Sequence, residues 1–203
     1  LEFEGNRVDL VADPQGPAGR AVEVLIDGKP PSAIAELYTY TRCSGAIGTG
    51  WPVVTHIEHA TPLIPETWTM RLYDTDESME TFRFDIAGSA TGPDGSGTNT
   101  EPFVSDSGRV VIDPENWSVT RDFNLRKVRM PDGYEAHWRV ACNFCDRTVL
   151  PAIQDPARQH IVTLAQGLSN TTHRLTIKAL DGADVASSIA ALRVHKPPFN
   201  SER

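Results

Sequence analysis

Cysteine and histidine side chains are the first candidates for chemistry in this sequence. Cys142-Asn-Phe-Cys145 has the spacing of half a zinc site, and Cys43 with His56 or His59 would complete four ligands. A complete zinc site normally shows a second close-spaced pair of ligands, and this sequence has none. We therefore predict no metal and no cofactor, with these residues as weak metal candidates.

The three cysteines leave two other interpretations open. Their odd number excludes pairing of all three within the chain. In an oxidising compartment Cys43 would form a disulfide with either Cys142 or Cys145, and the sequence does not choose between the two. Otherwise the cysteines are unpaired and pack as small apolar side chains.

Acid–base catalysis requires titratable groups that converge, and one set of residues offers them. His56, Glu58 and His137, with aspartates of the Gly88–Glu101 segment, would form the site of a small hydrolase if they lay within hydrogen-bond reach. On a strand, His56 and Glu58 point to one side and His59 points to the other. Because the sequence also lacks a Gly-x-Ser-x-Gly nucleophile elbow, it favours a protein without catalytic activity.

Aromatic side chains are candidates for ligand binding. Four of them lie in or beside predicted loops, where a flat ring can stack on a sugar face while its polar edge stays in water: Tyr38, Tyr40, Trp51 and Trp117. An interface with a partner domain is an equally good use of the same rings. Trp68 and Trp138 lie on apolar strand faces and are predicted to be core residues.

Composition and charge restrict the classes of partner. The chain has 203 residues and a net charge of −8, with its Lys and Arg residues spread along it. Nucleic acid would meet repulsion without a basic stripe to offset it. No apolar run approaches the roughly 20 residues of a membrane helix. We predict neither a nucleic-acid partner nor a membrane partner, and one large or two small domains.

Strands must position most of these residues. Near the C-terminus, residues 158–166, 173–179 and 189–195 are rich in β-forming residues and separated by turn residues. Near the N-terminus, residues 3–11 and 20–26 are predicted strands of the same kind. These segments predict one sheet built from the two ends of the chain.

The middle of the chain has its own alternating pattern. It predicts strands over residues 68–73, 81–86, 108–112, 117–123 and 134–142. Gly88–Glu101, rich in Gly, Thr and Ser, is predicted to be a surface loop. The strand pattern and four Asp-Gly turns indicate an all-β protein, a sandwich or barrel.

The two ends also resemble a known kind of module. Phe3-x-Gly-x-x-Val-x-Leu and Ala21-Val-Glu-Val-Leu-Ile-Asp-Gly are similar to the opening of jelly-roll modules of the carbohydrate-binding and galactose-binding-like type. Leu164-Ala-Gln-Gly-Leu-Ser-x-x-x-His173-Arg-Leu-Thr-Ile and Ile189-Ala-Ala-Leu-Arg-Val are similar to their closing half. The resemblance implies a jelly-roll-like antiparallel β-sandwich formed by residues 1–30 and 151–198. Residues 31–150 would be a β-rich insertion and residues 199–203 a tail.

The resemblance also implies a function. In bacteria such modules often accompany hydrolases of the SGNH or GDSL type, whose Gly-Asp-Ser block and Asp-x-x-His pair are both missing here. The chain would then be a non-catalytic accessory module that packs on a catalytic domain or binds carbohydrate. An extracytoplasmic bacterial location follows from the same resemblance. Since the chain begins inside a predicted strand without an initiator Met, we expect an excised piece of a longer protein. A structural or adhesion domain of a surface protein is the alternative.

Overall fold

A computed structural model describes residues 1–17, 19–45, 51–151, 155 and 157–198. The chain divides into two compact units, which we name the terminal unit (residues 1–38 and 142–203) and the insert unit (residues 39–141). The strands and α-helix of the described residues are β1 (Glu2–Ala12), β2 (Ala21–Ile26), β3 (Tyr38–Tyr40), β4 (Ser44–Gly45), β5 (Glu58–His59), β6 (Glu66–Tyr73), β7 (Arg83–Gly88), β8 (Gly92–Thr98), β9 (Phe103–Val104), β10 (Val110–Ile112), α1 (Val119–Arg126), β11 (Tyr134–Cys142), β12 (Arg147–Val149), β13 (Ile161–Ala179) and β14 (Ile189–His195). Short 3-10 helices lie at Pro31–Ala33, Ala35–Leu37, Pro114–Asn116 and Ala186–Ser188.

The terminal unit joins the two ends of the chain in one antiparallel sheet of order β12-β2-β13-β1-β14. β1 pairs with β13 on one side and with β14 on the other. The long β13 pairs with β1 over its first part and with β2 over its last, from Leu175 to Ala179. The prediction of an all-β protein with an antiparallel β-sandwich formed by the two chain ends is confirmed.

One apolar core holds the terminal unit together. Val8 and Leu10 of β1 and Val22 of β2 have no exposed surface, and Leu175 of β13 is 2% exposed. They belong to a single cluster with residues from every long strand of the unit except β14, whose Leu192 packs against its edge. Burial of each large aliphatic side chain stabilises the unit by about 1.5–3 kcal/mol. The alternation visible in the sequence thus selects the buried face.

The boundaries between the units differ from those expected from the sequence. The sequence places them at residues 30 and 150, whereas the structure places them after Tyr38 and after Ala141. Leu37 and Leu150 are each 1% exposed and belong to the core cluster of the terminal unit, against which Phe144 also packs. These apolar contacts assign both flanking segments to the terminal unit.

His173 is a buried imidazole in the terminal unit with a partner on each nitrogen. Its Nδ1 lies 2.7 Å from Asp27 Oδ2, and its Nε2 lies 2.9 Å from the carbonyl oxygen of Ser169. A carbonyl oxygen only accepts, so Nε2 carries a proton, and the carboxylate favours a second proton on Nδ1. Burial lowers the pKa of His173, but the hydrogen bonds to Asp27 and Ser169 outweigh it and raise the pKa above its ordinary value.

This raised pKa predicts a pH-dependent stability of the terminal unit. A group whose pKa is higher in the folded state stabilises fully below its unfolded value, about 6.5 for His, and loses that contribution as pH rises through the folded value. We expect His173→Gln to lower the free energy of unfolding by about 1.5–3 kcal/mol at pH 6 and by less at pH 8. Urea unfolding followed by circular dichroism at both pH values measures the difference, and an equal loss at both would contradict it.

The insert unit contains a larger antiparallel sheet of order β3-β11-β6-β7-β8, with β4 also paired to β11, and a small sheet of order β5-β10-β9. β6 pairs with β11 from Glu66 opposite Val140 to Leu72 opposite Tyr134. Trp68 of β6 and Trp138 of β11 are 1% and 2% exposed, as the apolar pattern predicts. One face of this sheet is therefore core, and the other faces solvent.

The segment Gly88–Glu101, predicted to be a loop, contains strand β8, so that prediction was wrong. Residues 92–98 pair with β7, with an irregular register between Asp85 and Ala87. Gly97 allows the strand to lie against aromatic rings, because a Cβ there would come within 2.8 Å of Phe103 and 3.0 Å of Phe84. Its glycines hide the strand signal in the sequence because they carry no side chains to alternate.

The strand predicted at residues 117–123 was also wrong, because most of it is the helix α1. Val119 and Phe123, four residues apart, are each 1% exposed, which is the spacing of one helix face. The helix ends at Lys127, whose left-handed backbone (φ 56°) lets its N–H donate to the carbonyl of Asn124. In the described residues no helix is long and apolar enough to cross a membrane.

Candidate functional site

A cleft of about 550 Å³ lies in the insert unit. Three stretches line it: β3 and the segment after it, the segment that leads into β5, and one residue of β11. The lining residues are Tyr40, Thr41, Arg42, Cys43, Val54, Thr55, His56, Ile57, Glu58, His59 and Trp138. Its size falls within the range of pockets that bind small molecules.

Stacked aromatic rings form one wall of the cleft. Tyr40 stacks on the imidazole of His59, with ring centroids 4.7 Å apart and planes 6° apart. His59 contacts Trp138 at 6.3 Å, and Trp138 stacks on Trp68 at 5.9 Å. Tyr40 stands at the exposed end of this series and is 46% exposed. A ring held flat from behind with its other face in solvent is suited to stacking against a ligand.

His59 is neutral and has a defined tautomer. The Nε1–H of Trp138 donates to Nε2 of His59 at 3.2 Å. Because indole nitrogen only donates, Nε2 carries no proton and the proton lies on Nδ1. Burial, together with the charges of His56 and Arg109, lowers the pKa of His59 to about 4. At neutral pH the ring therefore supports Tyr40 without adding charge to the cleft.

A buried ion pair lies behind this wall. Arg109 Nη1 donates to Glu66 Oε1 at 3.0 Å, and the guanidinium lies 5.5 Å from the centroid of Trp68. Glu66 also accepts from the backbone N–H groups of Ala90 and Thr91 and from the Thr91 hydroxyl. Burial raises the pKa of Glu66, but these hydrogen bonds outweigh it and lower the pKa below its ordinary value. The pair holds Trp68, and through it the wall of the cleft, in place.

The four aromatic residues predicted to bind ligand do not form one platform. Of the four, only Tyr40 lines the cleft. Tyr38 belongs to the terminal unit, is 6% exposed and donates its hydroxyl to the Ser32 carbonyl at 2.9 Å. Trp117 packs against Phe82 and Phe84. Trp51 is 46% exposed and lies against the Arg121 guanidinium, outside the cleft lining.

The acid–base set proposed for a small hydrolase does not converge. His56 and Glu58 line the cleft, but His137 lies on the opposite face of β11 from Trp138 and bonds to the Thr69 hydroxyl at 3.1 Å. Within Gly88–Glu101, Asp94 is buried and bonds to Ser107 instead. Strand alternation separates His137 from the cleft, so His56 and Glu58 line it without His137.

The three cysteines are free thiols. Cys43 lines the cleft but is 3% exposed, and burial raises the pKa of its thiol to about 12. Cys142 donates to the carbonyl oxygen of Phe144, and Cys145 is exposed. Among the residues that the structure describes, no three His, Cys, Asp or Glu side chains form a group that could hold a metal ion.

Sequence reasoning missed two members of the cleft. His59 was considered only as a metal ligand, and Trp138 was predicted to be core without a link to a site. His59 and Trp138 are 79 residues apart in the sequence and meet only in the folded protein, through a side-chain hydrogen bond. The sequence alone therefore does not show that they belong to one site. The contact between Tyr40 of β3 and His59 of β5 likewise follows no characteristic sequence spacing, so no motif predicts it.

Fold and site together define an antiparallel β protein whose insert unit carries an open, aromatic-walled polar cleft. Comparison of the chain with protein-family models, with curated proteins and with solved structures gives no match.

Proposed function

We propose that the protein is a non-catalytic accessory module of a bacterial SGNH-like hydrolase, with a jelly-roll terminal unit, and that it binds carbohydrate in the cleft of the insert unit. The observation that carries the proposal is Tyr40, an exposed ring inside a polar cleft, stacked from behind on His59. The apolar face of a pyranose stacks on such a ring, while its hydroxyls reach the polar groups around it.

The polar side chains of the cleft suit hydroxyl groups. Glu58 accepts hydrogen bonds and His56 both donates and accepts, while the Thr55 hydroxyl donates to the carbonyl oxygen of Asn116 and can still accept; all three residues are exposed at the cleft. A sugar hydroxyl is a donor and an acceptor, so each of these groups has a complementary partner in it. The same cleft supports a binding role over a catalytic one, because the imidazole of His59 is already bonded to Trp138.

Tyr40→Ala is expected to weaken carbohydrate binding about tenfold, which corresponds to the loss of about 1.4 kcal/mol of stacking and buried area. The measurement is isothermal titration of the whole chain against a panel of neutral hexasaccharides, including cellohexaose, xylohexaose and mannohexaose. Tyr40→Phe keeps the ring and should retain most of the affinity.

Trp51→Ala is the matched control, because Trp51 is as exposed as Tyr40, at 46%, and lies outside the cleft lining. It should leave binding within twofold of the wild type. Equal losses from both variants, or no heat with any member of the panel, would overturn the proposal for the cleft.

A further inference from the structure

A second concave surface lies on the solvent face of the larger sheet of the insert unit. It has a volume of about 530 Å³. The polar residues that line it come from four adjacent strands and one connection: Thr69, Arg71, Asp85, Ser96, Asp106 and Glu135. We name this surface the outer-face site. It lies on the other side of β11 from the cleft, because Glu135 and Trp138 point to opposite faces of that strand.

The concave shape of the outer-face site results from a local irregularity of the sheet. The register between β7 and β8 shifts between Asp85 and Ala87, and Ala87 and Gly95 leave little side-chain volume over it. Gly95 has φ +110°, and a Cβ there would lie 3.2 Å from Asp106 Oδ1. The Asp106 carboxylate therefore forms part of the wall directly above the backbone of β8. Bulges and strand glycines commonly mark places where a ligand approaches the sheet.

Charged groups cross the outer-face site in a single row. Glu135, Arg71, Asp85 and Ser96 are direct register partners on β11, β6, β7 and β8. Neighbouring strands are about 4.8 Å apart, so the backbone positions that carry these acceptor, donor and acceptor side chains follow at that interval.

The charged side chains in this row do not form ion pairs with one another. Among the side-chain hydrogen bonds and ion pairs of the described residues, the Arg71 guanidinium and the Glu135 carboxylate take part in none, and Asp85 uses Oδ1 to accept from the Tyr73 hydroxyl at 2.8 Å. The Arg71 guanidinium lies instead over Gly133, where a Cβ would come within 3.2 Å of Nη2. An arginine that does not pair with the carboxylates of its two register partners leaves a donor and two acceptors on the same face of the sheet for a ligand.

We propose that the outer-face site is a second carbohydrate-binding site, which recognises the vicinal hydroxyls of a saccharide. Adjacent hydroxyls donate to the carboxylates of Glu135 and Asp85 and accept from the guanidinium of Arg71, so a diol satisfies all three charged groups together. The inference rests on the proposed function of the insert unit but uses a different face and different residues. Two sites on one unit let it hold two segments of a polysaccharide, which raises the apparent affinity for the polymer.

The test is a titration of the whole chain with the hexasaccharide that gives the largest heat in the panel, followed by two-dimensional amide spectra. The wild type is expected to bind two molecules, with shifts at residues 69–71, 85–87 and 135 as well as at Tyr40 and His59. Arg71→Ala with Asp85→Asn should reduce the stoichiometry to one and abolish the first group of shifts. Tyr40→Ala should weaken the other site and leave the outer-face shifts unchanged.

Arg139→Ala is the control, because Arg139 is exposed on the same side of β11 as Glu135 and is not part of the lining. It should leave both sites unchanged. A stoichiometry of one in the wild type, with every shift lost in Tyr40→Ala, would overturn the outer-face site and leave the cleft as proposed. Loss of all binding in the Arg71 and Asp85 variant would instead overturn the cleft. No binding of any hexasaccharide would overturn both.

Discussion

Replacing Arg109 with Met is expected to lower the free energy of unfolding of the insert unit by about 3–5 kcal/mol. Arg109 is 8% exposed and Glu66 is 5% exposed, so removal of the guanidinium leaves a carboxylate buried without its counter-charge. The loss of the guanidinium also removes the contact with Trp68. All four tryptophans lie in the insert unit, so urea unfolding followed by tryptophan fluorescence measures this effect directly.

The double variant Glu66→Gln with Arg109→Met separates the ion pair from simple loss of packing. Because neither partner is then left charged and alone, it should be less destabilised than the sum of the two single variants. Arg139→Met, a change at an exposed arginine of the same unit, should alter stability by less than about 0.5 kcal/mol. If the losses of unfolding free energy in the two single variants simply added in the double variant, Arg109 would not stabilise the buried Glu66 carboxylate.

Replacing Asp9 with Asn is expected to lower the free energy of unfolding of the terminal unit by about 3 kcal/mol. Asp9 is 2% exposed and accepts from Arg7 Nε at 2.8 Å and Nη2 at 3.0 Å, and from His195 Nε2 at 2.8 Å. Arg7 Nη2 also reaches Thr163 at 3.2 Å. The Asp9 carboxylate therefore connects β1 to β14 directly through His195, and to β13 through Arg7 and Thr163. These strands come from opposite ends of the chain.

The pKa of Asp9 gives this prediction a pH dependence. Burial raises the pKa, but the hydrogen bonds from Arg7, Thr163 and His195 outweigh it and lower the pKa below its ordinary value. A lowered folded-state pKa stabilises fully above the unfolded value, about 3.9, and that contribution is lost as pH falls through the folded value. Asp9→Asn should therefore cost most near neutral pH and less in acid.

Amide hydrogen exchange in β1 and β14 is the measurement for Asp9, because it reports on those strands alone. Glu4→Gln is the matched control, since Glu4 joins β1 to Lys196 at 2.6 Å through side chains that are 55% and 49% exposed. An exposed pair of this kind contributes about 0–1 kcal/mol. Equal increases in exchange for the two variants would contradict the role of Asp9.

The sequence predicts those parts of the fold in which side chains alternate. Alternating apolar residues predict a strand with one buried face both in β2 (Val22 and Val24) and in β6 (Trp68 and Met70). The structure confirms both strands. Residues 92–98 carry too few side chains to show any period, so β8 was missed. Residues 119–123 were misread because two buried apolar positions, Val119 and Phe123, are too few to distinguish a period of 3.6 from one of 2.

The candidate site was harder to predict than the fold. Tyr40 and His56, both selected by residue type, line the cleft, but the ring that supports Tyr40 comes from another strand. Whether an aromatic residue near a loop faces solvent or core depends on packing, which placed Trp117 against Phe82 and left Trp51 exposed. Long-range contacts of this kind have no signature in a single sequence.

Because the terminal unit is formed by two separate segments of the chain, the two units can fold in a definite order during synthesis. β1 is synthesised before its partners in β13 and β14, which follow about 150 residues later in the chain, so its edges stay unpaired meanwhile. Residues 39–141, between β2 and β13, contain the strands of the insert unit's own sheets apart from the first residue of β3 and the last of β11. This segment can fold before β13 and β14 are synthesised. Once folded, it shortens the flexible chain that must close between β2 and β13, which reduces the entropy lost in bringing the ends together.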